Sequence, residues 1–158
     1  MSTLIYVETS IPSFYFETRE RTRFQAMREW TREWWDVAKM RDTLVTSEAV
    51  AEELERAPEP KRSSALELIH PLRWLDNVRE VDEMAAVYIA HKIMPADAKG
   101  DARHLAFATF HRCAILVTWN CKHIANANKQ EHLRRIHAMI GVATPLLVTP
   151  YELLLKSP

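Results

Sequence analysis

Apolar residues in this chain follow two patterns. Short, mainly apolar runs at Leu4–Val7, Thr43–Ser47, Leu72–Leu75, Ala114–Thr118 and Leu146–Thr149 have the length of buried strands. Between them, apolar positions recur every three or four residues, the period of a helix with one buried face. The longest such stretch is Phe24–Met40, with Met27, Trp30, Trp34, Trp35, Val37 and Ala38 on one side and charges on the other. Further helices are expected over Glu48–Arg56, Lys61–Ile69, Val81–Ile93, Gln130–Ile140 and Tyr151–Leu155, and over a segment that starts at Asp97 or Lys99 and carries Asp101 to Phe110. A short helix should follow Thr9, capped by Ser10 with Pro12 in its early turn. Pro58 and Pro60, Pro71, Pro95 and Gly141 supply the stops. Residues 17–23, polar and mixed in sign, suggest an exposed loop or helix start.

Strands that alternate with helices, with no hairpin signal between them, require crossover connections. The expected fold is therefore α/β, with a mostly parallel central sheet between two helical layers, in a single domain over residues 1–158. No repeat, low-complexity tract or linker divides the chain.

Composition sharpens this only in part. The chain is long enough to bury a core, and 47% hydrophobic with 27% charged residues is ordinary for a globular domain. The 21 basic and 21 acidic side chains cancel, so a nucleic-acid partner would have to be held by a local patch. Cys113 and Cys121 build no disulfide framework, the opening residues lack a signal-peptide pattern, and no apolar run is long enough to cross a bilayer. The expected setting is the reducing cytoplasm, away from membranes. With only Gly100 and Gly141, a glycine-rich phosphate loop is excluded.

The candidate chemistry lies in four places. Glu8 ends the first apolar run, Glu53 lies beyond the second, Asp101 opens a late helix, and Asn120 closes the run from Ala114. A parallel sheet delivers residues that follow its strands to one carboxyl edge. Carboxylates gathered there repel one another unless a cation neutralises them, so the pattern points to a metal.

These residues resemble the PIN domain, and more closely its VapC-type toxin ribonuclease branch. The resemblance rests on Ile5–Ser10, Ser47–Leu54, Asp101–Ala106, Thr118–Asn126 and Thr149–Leu154, and covers nearly the whole chain. It implies a three-layer α/β/α PIN-like fold and a Mg²⁺- or Mn²⁺-dependent endoribonuclease, the toxin of a VapBC-type toxin–antitoxin pair. Glu8, Asp101 and Asn120 match metal positions, and Glu53 matches a further catalytic acid. Thr9, Ser10, Glu52 and His104 are candidates for supporting or substrate-contacting roles. The implied partners are an RNA substrate, a cognate antitoxin and a second copy of the chain, with Trp30, Trp34 and Trp35 as a docking surface for the antitoxin. Two departures stand out: Glu8 and Asn120 occupy positions where many members have Asp.

Those departures, with zero net charge, motivate an alternative: a PIN-like RNA-binding or protein-interaction module with weakened catalysis. Single residues also have simpler readings. Glu8 and Asp101 suit helix starts, one or both of Glu52 and Glu53 could be solvated, with the following Leu54 favouring Glu53 as the inward one, and Asn120 could merely turn the chain. His104 could be a satisfied core histidine, and the tryptophans could be core. Arg19, Arg21, Arg23, Arg28 and Arg32 could form a phosphate-binding rim, but the interleaved Glu17, Glu20, Glu29 and Glu33 favour a solvated mixed face. Cys121 and His123 near Cys113 fit no standard zinc spacing.

Overall fold

The computed structural model describes residues 2–95 and 99–156. Its centre is a five-stranded sheet of β1 (Leu4–Val7), β2 (Thr43–Thr46), β3 (Arg73–Trp74), β4 (Ile115–Val117) and β5 (Leu146–Val148). The order is β3-β2-β1-β4-β5, and all four pairings are parallel. The helices are α1 (Ser10–Tyr15), α2 (Thr22–Arg41), α3 (Glu48–Leu54), α4 (Lys61–Ile69), α5 (Arg79–Ala90), α6 (Lys99–Phe110), α7 (Ala127–Ile140) and α8 (Pro150–Leu155). Asp97, one of the two expected starts of the sixth helix, lies outside the described residues.

Strand alternation explains the layering. Ile5 and Val7 of β1 point to one face, with Leu44, Val117 and Val148, and pack against Ile11 of α1, Trp34, Trp35 and Ala38 of α2, and Leu153 of α8. Tyr6, between them, points to the other face and joins Val45, Leu116 and Leu147 in a larger core closed by α3 to α7. With both faces covered, the strands read as apolar runs rather than as alternating patterns. This is the expected three-layer α/β/α arrangement.

Three local readings need correction. Residues 17–23 are not uniformly solvated: Glu17 is only 4% exposed. Its carboxylate is bound on both oxygens by the Arg19 guanidinium (2.8 and 2.9 Å), with Lys61 at 3.9 Å. The Arg19 hydrogen bond foremost, against the opposing effect of burial, brings the Glu17 carboxyl down to about 2. Trp34 and Trp35 are core residues, 1% and 5% exposed, and offer no docking surface; the stripe is wide enough for the sheet to absorb them. Helix α7 starts at Ala127, three residues earlier than the apolar spacing indicates, because the Asn126 side chain caps it by accepting from Asn128 N.

The Trp34 indole N–H is buried without a hydrogen-bond partner among the described residues. Trp34→Ala should cost about 3–5 kcal/mol, as for other large core truncations. Trp34→Phe should cost much less, since it also removes an orphaned donor whose burial is worth about 1–3 kcal/mol. Urea denaturation of the two variants checks the contrast.

Candidate active site

Strand order reverses between β1 and β4: the chain leaves β1 towards β2 and returns to β4 on the other side. In open α/β sheets the crevice outside the carboxyl ends at such a point receives ligands. Glu8 stands there at the end of β1, and Thr118, Trp119 and Asn120 stand at the end of β4.

Glu8 is a buried carboxylate, 5% exposed. Its Oε2 accepts from Ser10 N (2.8 Å), Ser10 Oγ (2.5 Å) and Thr118 Oγ1 (2.8 Å), while Oε1 receives none of these bonds. Ser10 is thus a residue of α1 whose hydroxyl serves Glu8 and accepts from Trp119 N at 2.8 Å, so it does not cap the helix as expected. Burial raises the Glu8 carboxyl above its usual value, against the pull of His104 and these hydrogen bonds.

Glu53, one helix away on α3, points inward. Its Oε1 accepts from Thr9 Oγ1 at 3.2 Å and is paired with Nε2 of His104, leaving Oε2 without a protein partner among the described residues. Glu52 points out and pairs with Arg103 at 2.9 Å. Gly100 of α6 lies against this carboxylate: a Cβ there would be in ordinary contact with Glu53 Oε1 at 3.4 Å. Burial alone would raise the Glu53 carboxyl, but the hydrogen bond and charge of His104 outweigh it and bring the carboxyl below its ordinary value.

His104, fully buried, is the hub. Its Nδ1 meets Tyr6 Oη at 2.8 Å, and that phenol meets Ser47 Oγ at 2.8 Å. Burial disfavours its charged form, yet the Glu53 hydrogen bond and the charges of Glu8, Glu53 and Asp101 raise its pKa. The three acids from β1, α3 and α6 therefore surround one imidazole. Asp101 lies a helical turn before His104; burial raises its carboxyl, opposed by His104, an Asn120 hydrogen bond and His123, while the Glu53 charge adds to the rise. Asn120 Oδ1 accepts from His123 N at 3.0 Å, so its amide braces the following turn, and it lies near enough to Asp101 to lower that carboxyl.

The expected residues are thus gathered at one edge, and Glu52 is the one that is not. The sequence reading missed Tyr6, Ser47 and Thr118. Tyr6 carried a signal, since a tyrosine inside a short buried strand needs a partner for its hydroxyl.

As donors, Glu8, Asp101 and Asn120 are hard oxygen ligands suited to Mg²⁺ or Mn²⁺. Glu8 and Asp101 both have carboxyls raised by burial, the condition that a cation relieves. As placed, no three His, Cys, Asp or Glu side chains among the described residues are close enough to hold one ion together. The donor set fits a divalent cation in kind, with Glu53 held by His104.

Comparison with known proteins gives the fold. No family profile matches the chain, and no curated protein matches it in sequence. Among solved structures, a chain of VapBC2 from Rickettsia felis, bound to a DNA fragment from their promoter, matches with a TM-score of 0.60 at 12% identity, over 93% of this chain and 98% of that one. The chain has a PIN-like α/β fold. No described helix is long and apolar enough to cross a membrane.

Proposed function

We propose that the protein is a Mg²⁺- or Mn²⁺-dependent endoribonuclease of VapC type, acting as the toxin of a toxin–antitoxin pair. The observation that carries this reading is the convergence of Glu8, Glu53 and Asp101 on His104 at the carboxyl edge between β1 and β4. The setting of the similar structure, VapBC2 with promoter DNA, supports a cognate antitoxin as partner. A homodimer and a cytoplasmic location belong to the same proposal.

Glu8 Oε1, Asp101 and the Asn120 amide would hold the cation, which when bound neutralises the scissile phosphate and lowers the pKa of an attacking water. Ser10 and Thr118 fix the Glu8 carboxylate by saturating Oε2. His104 keeps Glu53 ionised, so that Glu53 Oε2 can accept a hydrogen bond from the attacking water and orient it. Thr9 holds the same carboxylate from the start of α1.

The test is cleavage of a labelled single-stranded RNA with and without Mn²⁺. Cleavage that stops with a chelator and resumes with Mn²⁺ is expected; metal-independent cleavage or none removes the reading. A second reading, a PIN-like binding module with weakened catalysis, draws support from the occupation of Glu53 by His104 and the lack of three grouped ligands among the described residues. It requires RNA or protein binding without turnover.

Asn120→Asp should tighten Mn²⁺ binding several-fold, because a carboxylate adds Coulomb attraction that an amide lacks. Asn120→Ala should weaken it, with less effect than loss of Asp101. Calorimetric titration with Mn²⁺ checks both, and wild-type affinity in Asn120→Gly would reduce Asn120 to a turn residue.

A further inference from the structure

The segment from Glu17 to Glu33 alternates in sign along the sequence, and folding sorts the signs in part. A cleft of about 670 Å³ lies between the end of α1 with the start of α2 on one wall and the α3–α4 connection on the other. Arg19, Arg28, Arg32 and Lys61 line it against Glu17 and Glu59, whereas Glu20, Glu29 and Glu33 lie outside, as do Arg21 and Arg23. Four cations less two carboxylates leave a surplus of two positive charges. Both carboxylates are already engaged, Glu17 by Arg19 and Lys61, and Glu59 by Arg62 and Ser63. Arg28 and Arg32 each spend one nitrogen on a backbone carbonyl, Glu17 O at 3.3 Å and Tyr15 O at 2.7 Å, and neither has a carboxylate partner among the described residues.

A row of aromatic rings meets this cleft at Arg19. The Arg19 guanidinium lies 3.7 Å from the centre of the Phe24 ring. From there the contacts run Phe24–Phe14 (6.2 Å), Phe14–Trp119 (6.2 Å), Trp119–Trp30 (6.2 Å) and Trp30–Tyr151 (4.4 Å). All five residues are at least partly exposed, Tyr151 the most. Trp119 immediately precedes Asn120 and donates its backbone N–H to Ser10 Oγ, so the row borders the acidic site. The cleft shares no lining residue with the acidic site but is linked to it along the chain: Ser13 is one helical turn beyond Thr9, and Ala57 follows Glu53 by four residues.

We propose that the cleft and the aromatic row form one binding track for a single-stranded nucleic acid, with backbone phosphates against Arg28 and Arg32 and bases stacked along the row. Guanidinium forks match phosphate oxygens, and aromatic faces accept any base once it is unstacked from a partner strand. This also answers how a chain with no net charge would hold a polyanion. The proposal rests on the nuclease reading for its choice of RNA as the natural strand.

The test is fluorescence anisotropy of a labelled 12-nucleotide single-stranded RNA in excess EDTA, so that nothing is cut, over a range of KCl concentrations. In Arg28→Gln/Arg32→Gln the log–log salt slope should become shallower by about 1.4, since each lost phosphate contact on a single strand removes about 0.7. Arg28→Lys/Arg32→Lys should keep the wild-type slope. Tyr151→Ala should weaken binding roughly ten-fold with the slope unchanged, as for loss of one stacked base. Duplex RNA of the same sequence should bind more weakly than the single strand. The track is overturned if the Gln pair binds like wild type, if the Lys pair loses as much slope as the Gln pair, if the wild type has no RNA affinity, or if a glutamate-rich peptide displaces bound RNA no differently from the Gln pair and the wild type. Metal-dependent cleavage is scored separately. Slope loss without any cleavage keeps the track and removes the nuclease, whereas cleavage with an unchanged slope does the reverse.

Discussion

Asp101→Asn is expected to lower metal-dependent RNA cleavage by at least about 100-fold, a loss at the upper end of what even outer partners of a metal site produce, while the melting temperature stays level or rises. The two effects have one origin. Burial, with the Glu53 charge, holds the Asp101 carboxyl above its usual value. An acid whose pKa is higher in the folded than in the unfolded state is less readily ionised after folding, so at neutral pH its charge opposes folding. An amide of the same shape removes that charge. Catalysis loses a charged ligand; the fold loses an unfavourable charge. Single-turnover cleavage and thermal denaturation, measured on the same preparation at pH 7, check both. An unchanged cleavage rate would remove Asp101 from the mechanism.

His104→Leu should destabilise the fold and change how its stability depends on pH. It leaves the fully buried Tyr6 hydroxyl with Ser47 as its only partner and strips Glu53 of its counter-charge. Breaking a buried pair costs about 3–5 kcal/mol, but the Glu53 side chain is 33% exposed and can rehydrate, so about 2–4 kcal/mol is the expected loss. For a domain of this size that is a fall in melting temperature of roughly 5–15 °C. The pH dependence distinguishes this from simple loss of packing. His104 has a raised pKa in the folded protein, so the stability it contributes is complete below the ordinary histidine value of 6.5 and is lost as pH rises through the folded value. Glu53 has a lowered pKa, so its share is complete above the ordinary carboxylate value of 4.5 and is lost as pH falls through the folded value. In EDTA the contribution of this pair should therefore be complete between about pH 4.5 and 6.5, so the difference in stability between wild type and His104→Leu should be largest there and shrink on the alkaline side. Parallel melting curves for the two proteins across this range would refute the pair as a source of stability.

The sheet was legible because its strands are buried on both faces and so stand out as short apolar runs between helical stretches, with no hairpin signal to permit antiparallel pairing. The positions of Glu8 and Asn120 at strand ends were legible for the same reason. The pairing of side chains was not. His104 and Glu53 are 51 residues apart in sequence and meet only because α6 packs on α3. Glu52 and Glu53 differ by about 100° around α3, a rotation that composition cannot assign when both are polar neighbours; Arg103 draws one outward and His104 the other inward. Glu17 was read as solvated because charges usually are, and its burial depends on Arg19 and Lys61 closing over it from two elements. The gathering of Arg19, Arg28, Arg32 and Lys61 in one cleft is likewise a property of the packed helices, invisible in a sequence of alternating sign.

The central claim is that Glu8 and Asp101 hold a divalent cation at the carboxyl edge between β1 and β4. Calorimetric titration with Mn²⁺ of the wild type, Glu8→Gln and Asp101→Asn tests it most directly, because it reads the ion without requiring a substrate. Binding to the wild type that is lost or weakened at least ten-fold in both variants is the predicted result. No binding by the wild type at millimolar Mn²⁺, or equal binding by all three proteins, would contradict the account.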